Sequence, residues 1–205
     1  MASAIVFGPA PGLPDKSELA RLCTLTQKVG HLTRLAVVLT ELEDFCDIIS
    51  RDSNNVITFN DRVKGFAKGF RLWMESEETD TIANQGSTIV SLPLLTFAEI
   101  CIYFQYLEIS GWTHAELLNS ISVAGVQGYC GGMLATLAIA SAQNEEEIVS
   151  SASNCIRAAF IAGVYMSREE DGPQADRRTT LIARLKHPGQ HEELVKMFPD
   201  VSVYC

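Results

Sequence analysis

The stretch Ile121-Ser122-Val123-Ala124-Gly125-Val126-Gln127-Gly128-Tyr129-Cys130-Gly131-Gly132-Met133-Leu134-Ala135-Thr136-Leu137-Ala138-Ile139-Ala140 decides how this chain folds. Its first part, 121–126, is an apolar, β-branched run that predicts a buried strand. Its last part, 133–140, is rich in strong helix formers and predicts a helix. Between them stands Gly-x-Cys-x-Gly, the thiol form of a nucleophile elbow. An elbow forces a sharp turn, so small neighbours are needed. Gly128 and Gly132 would let strand and helix approach closely. The helix N-terminus would aim backbone N–H groups and a positive partial charge at the sulfur. Such surroundings favour a thiolate and supply an oxyanion hole, to which Gly131 would also contribute. The alternative is a small buried hydrophobe among ordinary strand-end glycines.

Composition narrows the remaining possibilities. The chain has 205 residues, enough for one domain or slightly more, with 47% hydrophobic and 20% charged residues. A packed core is expected rather than disorder. The net charge of -9 and the lack of any basic run beyond Arg177-Arg178 argue against nucleic acid and anionic membranes as partners. No run approaches the roughly 18 apolar residues of a membrane span. The N-terminus lacks a basic n-region, so the expected location is the cytoplasm. Cys23, Cys46, Cys101 and Cys155 fall in helical patterns and read as reduced thiols. Neither cysteines nor the histidines His31, His114, His187 and His191 are spaced for metal, and no cofactor is expected to be bound.

Elsewhere, Ala4–Gly8 predicts a short strand, followed by a turn at Pro9-Ala10-Pro11-Gly12. Helices are expected from Leu13, with Ser17 as cap, across 25–50, within 61–76, and from Pro93 to about Glu108. Thr113 should cap a short helix to Ser120, and the acids of Asn144-Glu145-Glu146-Glu147 should open another to about Met166. Residues 51–55 read as a turn and 77–90 as a polar loop. Residues 167–176 read as a linker, with strands at 179–184 and 201–204 around a helix at 192–198. A sheet edge left open there suggests a chain that stops short of a complete fold.

These residues together resemble the starter-unit acyltransferase domain of fungal non-reducing polyketide synthases. Val6-Phe7-Gly8-Pro9, Pro93-Leu94-Leu95 with Tyr103-Phe104-Gln105-Tyr106-Leu107, Gly125 through Leu134, and Ile156-Arg157-Ala158-Ala159 to Tyr165 carry the likeness, in order, along essentially the whole chain. The resemblance implies an α/β fold: an α/β-hydrolase-like acyltransferase core over 1–172, then a linker and the beginning of a ferredoxin-like small subdomain over 173–205. It implies that Cys130 takes an acyl group from an acyl-CoA or carrier thioester. The acyl group would then pass to the phosphopantetheine arm of an acyl carrier protein. Gly8 and Ala10 would lie at the oxyanion side; relatives often carry Gln at the position of Ala10. Ala162 would stand where malonyl-specific relatives carry Arg, favouring a neutral acyl group; plain core packing is the alternative. The family's catalytic His would fall beyond Cys205, which would impair activity. A non-catalytic remnant and a cysteine hydrolase with the same elbow remain as other readings.

Overall fold

A computed structural model describes residues 4–8, 14–54, 58–76, 78, 79, 82 and 88–170. The chain divides into two units after Asp171, and the described residues belong to the first. Helices dominate. In order they are β1 (Ile5–Phe7), α1 (Lys16–Lys28), α2 (Gly30–Thr40), α3 (Leu42–Asp52), α4 (Asp61–Ser76), α5 (Thr88–Ser110), α6 (His114–Ser120), β2 (Val126–Gly128), α7 (Gly132–Ala140) and α8 (Glu145–Glu170). The two strands pair in parallel, with Ile5, Val6 and Phe7 opposite Val126, Gln127 and Gly128. The fold is therefore α/β, with a small sheet.

Local chemistry explains most boundaries. Asp15, rather than Ser17, caps α1. Its carboxylate accepts from the Glu18 N–H at 2.8 Å, and the Glu18 carboxylate accepts from the Asp15 N–H at 3.1 Å. Ser17 only donates to that same carboxylate. Thr113 caps α6 through the same reciprocal pair with Glu116. The helical run expected across 25–50 is broken at Val29 and Glu41, giving the end of α1 and then α2 and α3. The turn after α3 holds Asn54 at a left-handed φ of 52°. Pro93 lies inside α5, not at its start. The preceding turn is fixed by packing: Ile89 and Val90 are buried, and the Thr88 hydroxyl donates to the Gly163 carbonyl at 3.2 Å. Thr88–Val90 thus correct the expected 77–90 loop, and Ser167–Glu170 continue α8 instead of opening the linker. The strands and helix expected within 171–205, and the turn at 9–12, lie outside the described residues.

The predicted strand at 121–126 is the main correction. Ile121–Ala124 form a turn closing α6, in which the Ala124 and Gly125 N–H groups donate to the Ile121 carbonyl at 3.0 and 2.6 Å. Gly125 then adopts a φ of 68° and redirects the chain, so pairing starts at Val126. The β-branched residues split accordingly: Ile121 enters the core while Val123 is 87% exposed.

α5 and α8 form the frame. They run antiparallel: Thr88, at the start of α5, bonds Gly163 late in α8, whereas the His114 N–H, just after α5, donates to the carboxylate of α8's first residue, Glu145. By length and composition both Thr88–Ser110 and Glu145–Met166 could cross a membrane, contrary to the expectation that no run is apolar enough. Half or more of each is nevertheless buried inside the fold, as core helices are. Gly163 permits the closest contact. A Cβ there would overlap the Thr88 carbonyl oxygen and lie 2.8 Å from the Ile89 Cα. Changing Gly163→Ala should therefore destabilise the protein by about 1–3 kcal/mol, whereas Ala158→Ser, exposed on the same helix, should stay within about 0.5 kcal/mol. Urea titration of the two variants checks this; equal stabilities would show that the helices part without cost.

Candidate active site

The elbow is built by three backbones forced together. The ladder extends past β2, with the Tyr129 N–H donating to the Phe7 carbonyl at 2.9 Å. α7 then starts immediately, with the Gly132 N–H on the Tyr129 carbonyl and the Met133 N–H on the Cys130 carbonyl, both at 3.1 Å. At Gly128 and Gly132 no side chain fits. A Cβ on Gly132 would lie 2.6 Å from the Phe7 carbonyl carbon and oxygen. One on Gly128 would lie 2.7 Å from the Gly132 carbonyl and would overlap the Thr136 hydroxyl. The glycines are required by close approach, as the sequence pattern implies.

Cys130 sits at the apex with φ 55°, a left-handed conformation that costs a non-glycine residue about 1–3 kcal/mol. Such strain collects at functional sites. Its side chain is exposed. The other described cysteines, Cys23, Cys46, Cys101 and Cys155, are buried. Burial pushes the Cys46 thiol up to about 12, and raises Cys101 and Cys155 as well, so these three are held protonated. Gly131 lies at the N-terminal end of α7, with Leu95 of α5 3.9 Å from the position a Cβ on it would take. Gly8 follows β1 directly and has open space around it. Ala10 lies outside the described residues. Ala162 is exposed on α8, so it is not a core-packing residue.

The histidines are committed elsewhere. His114 is fully buried; its Nδ1 faces the Tyr103 hydroxyl at 2.7 Å and its Nε2 the Ala142 carbonyl at 3.0 Å. A neutral ring that donates from Nε2 and accepts at Nδ1 satisfies both contacts. It ties α5, α6 and the start of α8 together. His31 stacks on Phe104 with ring centroids 5.4 Å apart, and faces Arg34 and Glu146 at 3.0 and 3.6 Å. His187 and His191 lie outside the described residues. Among the described residues no cluster of three or more His, Cys, Asp or Glu could hold a metal.

One residue near the elbow carried no sequence signal. Glu99 lies on α5 one turn after Leu95, which meets Gly131, and one turn before Tyr103, whose ring is 6.3 Å from that of Phe7. One Glu99 carboxyl oxygen is buried without a hydrogen-bond partner, and burial lifts the group's pKa to about 7. Only three-dimensional packing reveals this, because Glu is otherwise an ordinary helix residue.

The family model described as starter unit:ACP transacylase in aflatoxin biosynthesis matches residues 32–195. The chain belongs to this family. Non-reducing polyketide synthase pks12 of Talaromyces marneffei is 43% identical over 133 residues, 63% of this chain and 7% of that protein. Non-reducing polyketide synthase atr1 of Stereocaulon alpinum is 29% identical over 208 residues, 99% of this chain and 8% of that protein. Non-reducing polyketide synthase stbA of Stachybotrys bisbyi is 30% identical over 204 residues, 98% and 9% respectively. The chain therefore spans less than a tenth of the length of these relatives.

Glu99 yields a pH test. Its carboxyl rises from an ordinary 4.5 to about 7 on folding, so the folded state binds more protons between those values. Stability contributed by the protonated form is present below about pH 4.5 and is lost as pH rises through about 7. Glu99→Gln removes the titration. Its melting temperature should exceed wild type at pH 8, by an equivalent of about 1–2 kcal/mol after allowance for partial solvent access, and converge with it near pH 4.5. A difference that does not change between those two pH values would refute the assignment.

Proposed function

We propose that the protein is a starter-unit acyltransferase that uses Cys130 as its nucleophile. The observation that carries this reading is the exposed thiol held at a left-handed φ between β2 and α7. A remnant without catalysis gains nothing from that strain, and the family match favours the transferase over a hydrolase with the same elbow. In the first half-reaction the Cys130 sulfur attacks the carbonyl of an acyl-CoA or carrier thioester. A C–S bond forms at Cys130, the original C–S bond breaks, and the donor leaves as a thiolate that takes up a proton. In the second, the phosphopantetheine thiol of an acyl carrier protein loses its proton and attacks the acyl-Cys130 carbonyl, releasing the Cys130 thiolate. The arm belongs to the carrier, so the transferase itself needs no bound cofactor.

The Gly131 N–H, next after the nucleophile, is the first oxyanion donor in this reading. Gly8 and Ala10 are assigned to the oxyanion side on the family likeness. His31 and His114 make structural contacts, and neither is assigned the role of base in this reading. Ala162 leaves an acyl carboxylate without a cationic partner, which favours a neutral acyl group. We further assign 1–172 to a hydrolase-like acyltransferase core and 173–205 to a linker and small subdomain, with the whole acting in the cytoplasm.

Incubation with a short acyl thioester, followed by peptide mass spectrometry, tests the nucleophile. The adduct should map to Cys130, Cys130→Ala should abolish it, and Gly132→Ala should reduce it by at least tenfold through distortion of the elbow. Full labelling of Cys130→Ala would disprove the assignment.

A further inference from the structure

We propose that Met133 and Leu137, with Tyr129 and Leu95 beside them, form the seat of the acyl chain carried by Cys130, and that they select longer straight-chain acyl groups over acetyl. The inference rests on Cys130 being the acyl acceptor. α7 carries no charged residue and a single hydroxyl, that of Thr136. A helix apolar on every side is normally buried on every side. Here Met133 is 62% exposed, and Leu137 and Tyr129 are each 59% exposed. Met133 and Leu137 are one turn apart in α7 and share one side of it, and Cys130 stands at the turn just before that helix. At about 1.5 Å per residue these two side chains span roughly 6 Å of the helix that follows the nucleophile. Leu95 of α5 stands 3.9 Å from the position a Cβ on Gly131 would take, beside the start of the helix.

Size distinguishes the possible occupants. A stable protein partner needs about 800 Å² on each side. Three partly exposed side chains offer a few hundred, which is the scale of a ligand-binding patch. A hydrocarbon chain tethered at Cys130 needs no more than that. Charge points the same way. No lysine or arginine occurs between Arg71 and Arg157, a span that includes α5, α6, β2 and α7. An acyl chain ending in a carboxylate would find no counter-charge on these elements. Met133 adds adaptability, since an unbranched thioether conforms to a flexible chain.

Each methylene withdrawn from water should raise capture by up to about fourfold. The test uses the 205-residue chain with acetyl-, butyryl- and octanoyl-N-acetylcysteamine. The Cys130 adduct is timed by intact mass, and each rate is divided by that of glutathione with the same thioester. The wild-type octanoyl-to-acetyl ratio should exceed about ten, and Met133→Gln/Leu137→Gln should bring it close to one. Iodoacetamide alkylation of Cys130 at the wild-type rate shows that the elbow of the variant is intact. Should alkylation slow, the milder Leu137→Ala replaces the double variant, with a partial fall in the ratio expected. A wild-type ratio near one, or a ratio the variants leave unchanged, overturns the proposal while leaving Cys130 as nucleophile. No adduct from any thioester overturns the nucleophile reading itself.

Discussion

The close approach of β1, β2 and the first turn of α7 is the constraint from which the site follows. Gly132 brings its Cα against the Phe7 backbone, and Gly128 lies against Gly132 and Thr136. With no space for two Cβ atoms, the chain must turn within Tyr129–Gly131. The residue at the apex is then driven into the left-handed region, and its side chain is thrown outward. The exposure of Cys130 is thus a consequence of backbone packing beneath it, not of a flexible loop. The same packing leaves one polar atom unserved: the Thr136 hydroxyl, pressed against Gly128, is buried without a partner.

That turn needs a rigid floor, which α5 and α8 provide. Their antiparallel contact is pinned at one end by Gly163 against Thr88, and at the other by the chain Tyr103–His114–Ala142, with Glu145 accepting the His114 N–H. A buried, fully bonded polar network is costly to disturb, because removing one member strands the others. Leu95, Glu99 and Tyr103 lie along a single side of α5, which links this floor to the elbow and to Phe7. Surface ion pairs add less. Arg34–Glu146 at 2.6 Å and Arg157–Glu41 at 3.3 Å join α2 and its C-terminal end to α8, but both are solvent-exposed and screened.

Local signals were legible in the sequence where they did not depend on distant packing. The Thr113 cap, the acidic start of α8 and the 61–76 helix each follow from a few adjacent residues. The paired glycines around Cys130 were legible because close approach permits nothing else there. The strand at 121–126 was misread because Ile121 and Val123 have the right residue type, whereas the left-handed Gly125 and the closure of α6 decide where pairing begins. The cap of α1 was misplaced because Ser17 and Asp15 both suit the role, and only the reciprocal bond with Glu18 separates them. The start of α5 was misplaced because proline ordinarily marks a helix boundary. Tertiary contacts from Gly163, Ile89 and Val90 hold the extra turn in place. Glu99 had no signal at all, since its environment consists of residues remote in sequence.

The distribution of thiols and imidazoles bears on how a cysteine would serve here. Burial holds Cys46, Cys101 and Cys155 in the protonated form, so among the described residues solvent chemistry concentrates on the exposed thiol at the elbow. Both described histidines are consumed by structural contacts. A serine in the same turn would depend wholly on a base to become nucleophilic. A thiol is less dependent, because a few per cent is already ionised near neutral pH and thiolates are intrinsically strong nucleophiles. In the proposed cycle the first half-reaction would therefore need mainly the strained turn, the α7 N-terminus and an apolar approach. The second would be more demanding, because the pantetheine thiol would have to surrender a proton as it attacks. In the proposed cycle a general base matters most at this return step, and loading and transfer should respond differently to its loss.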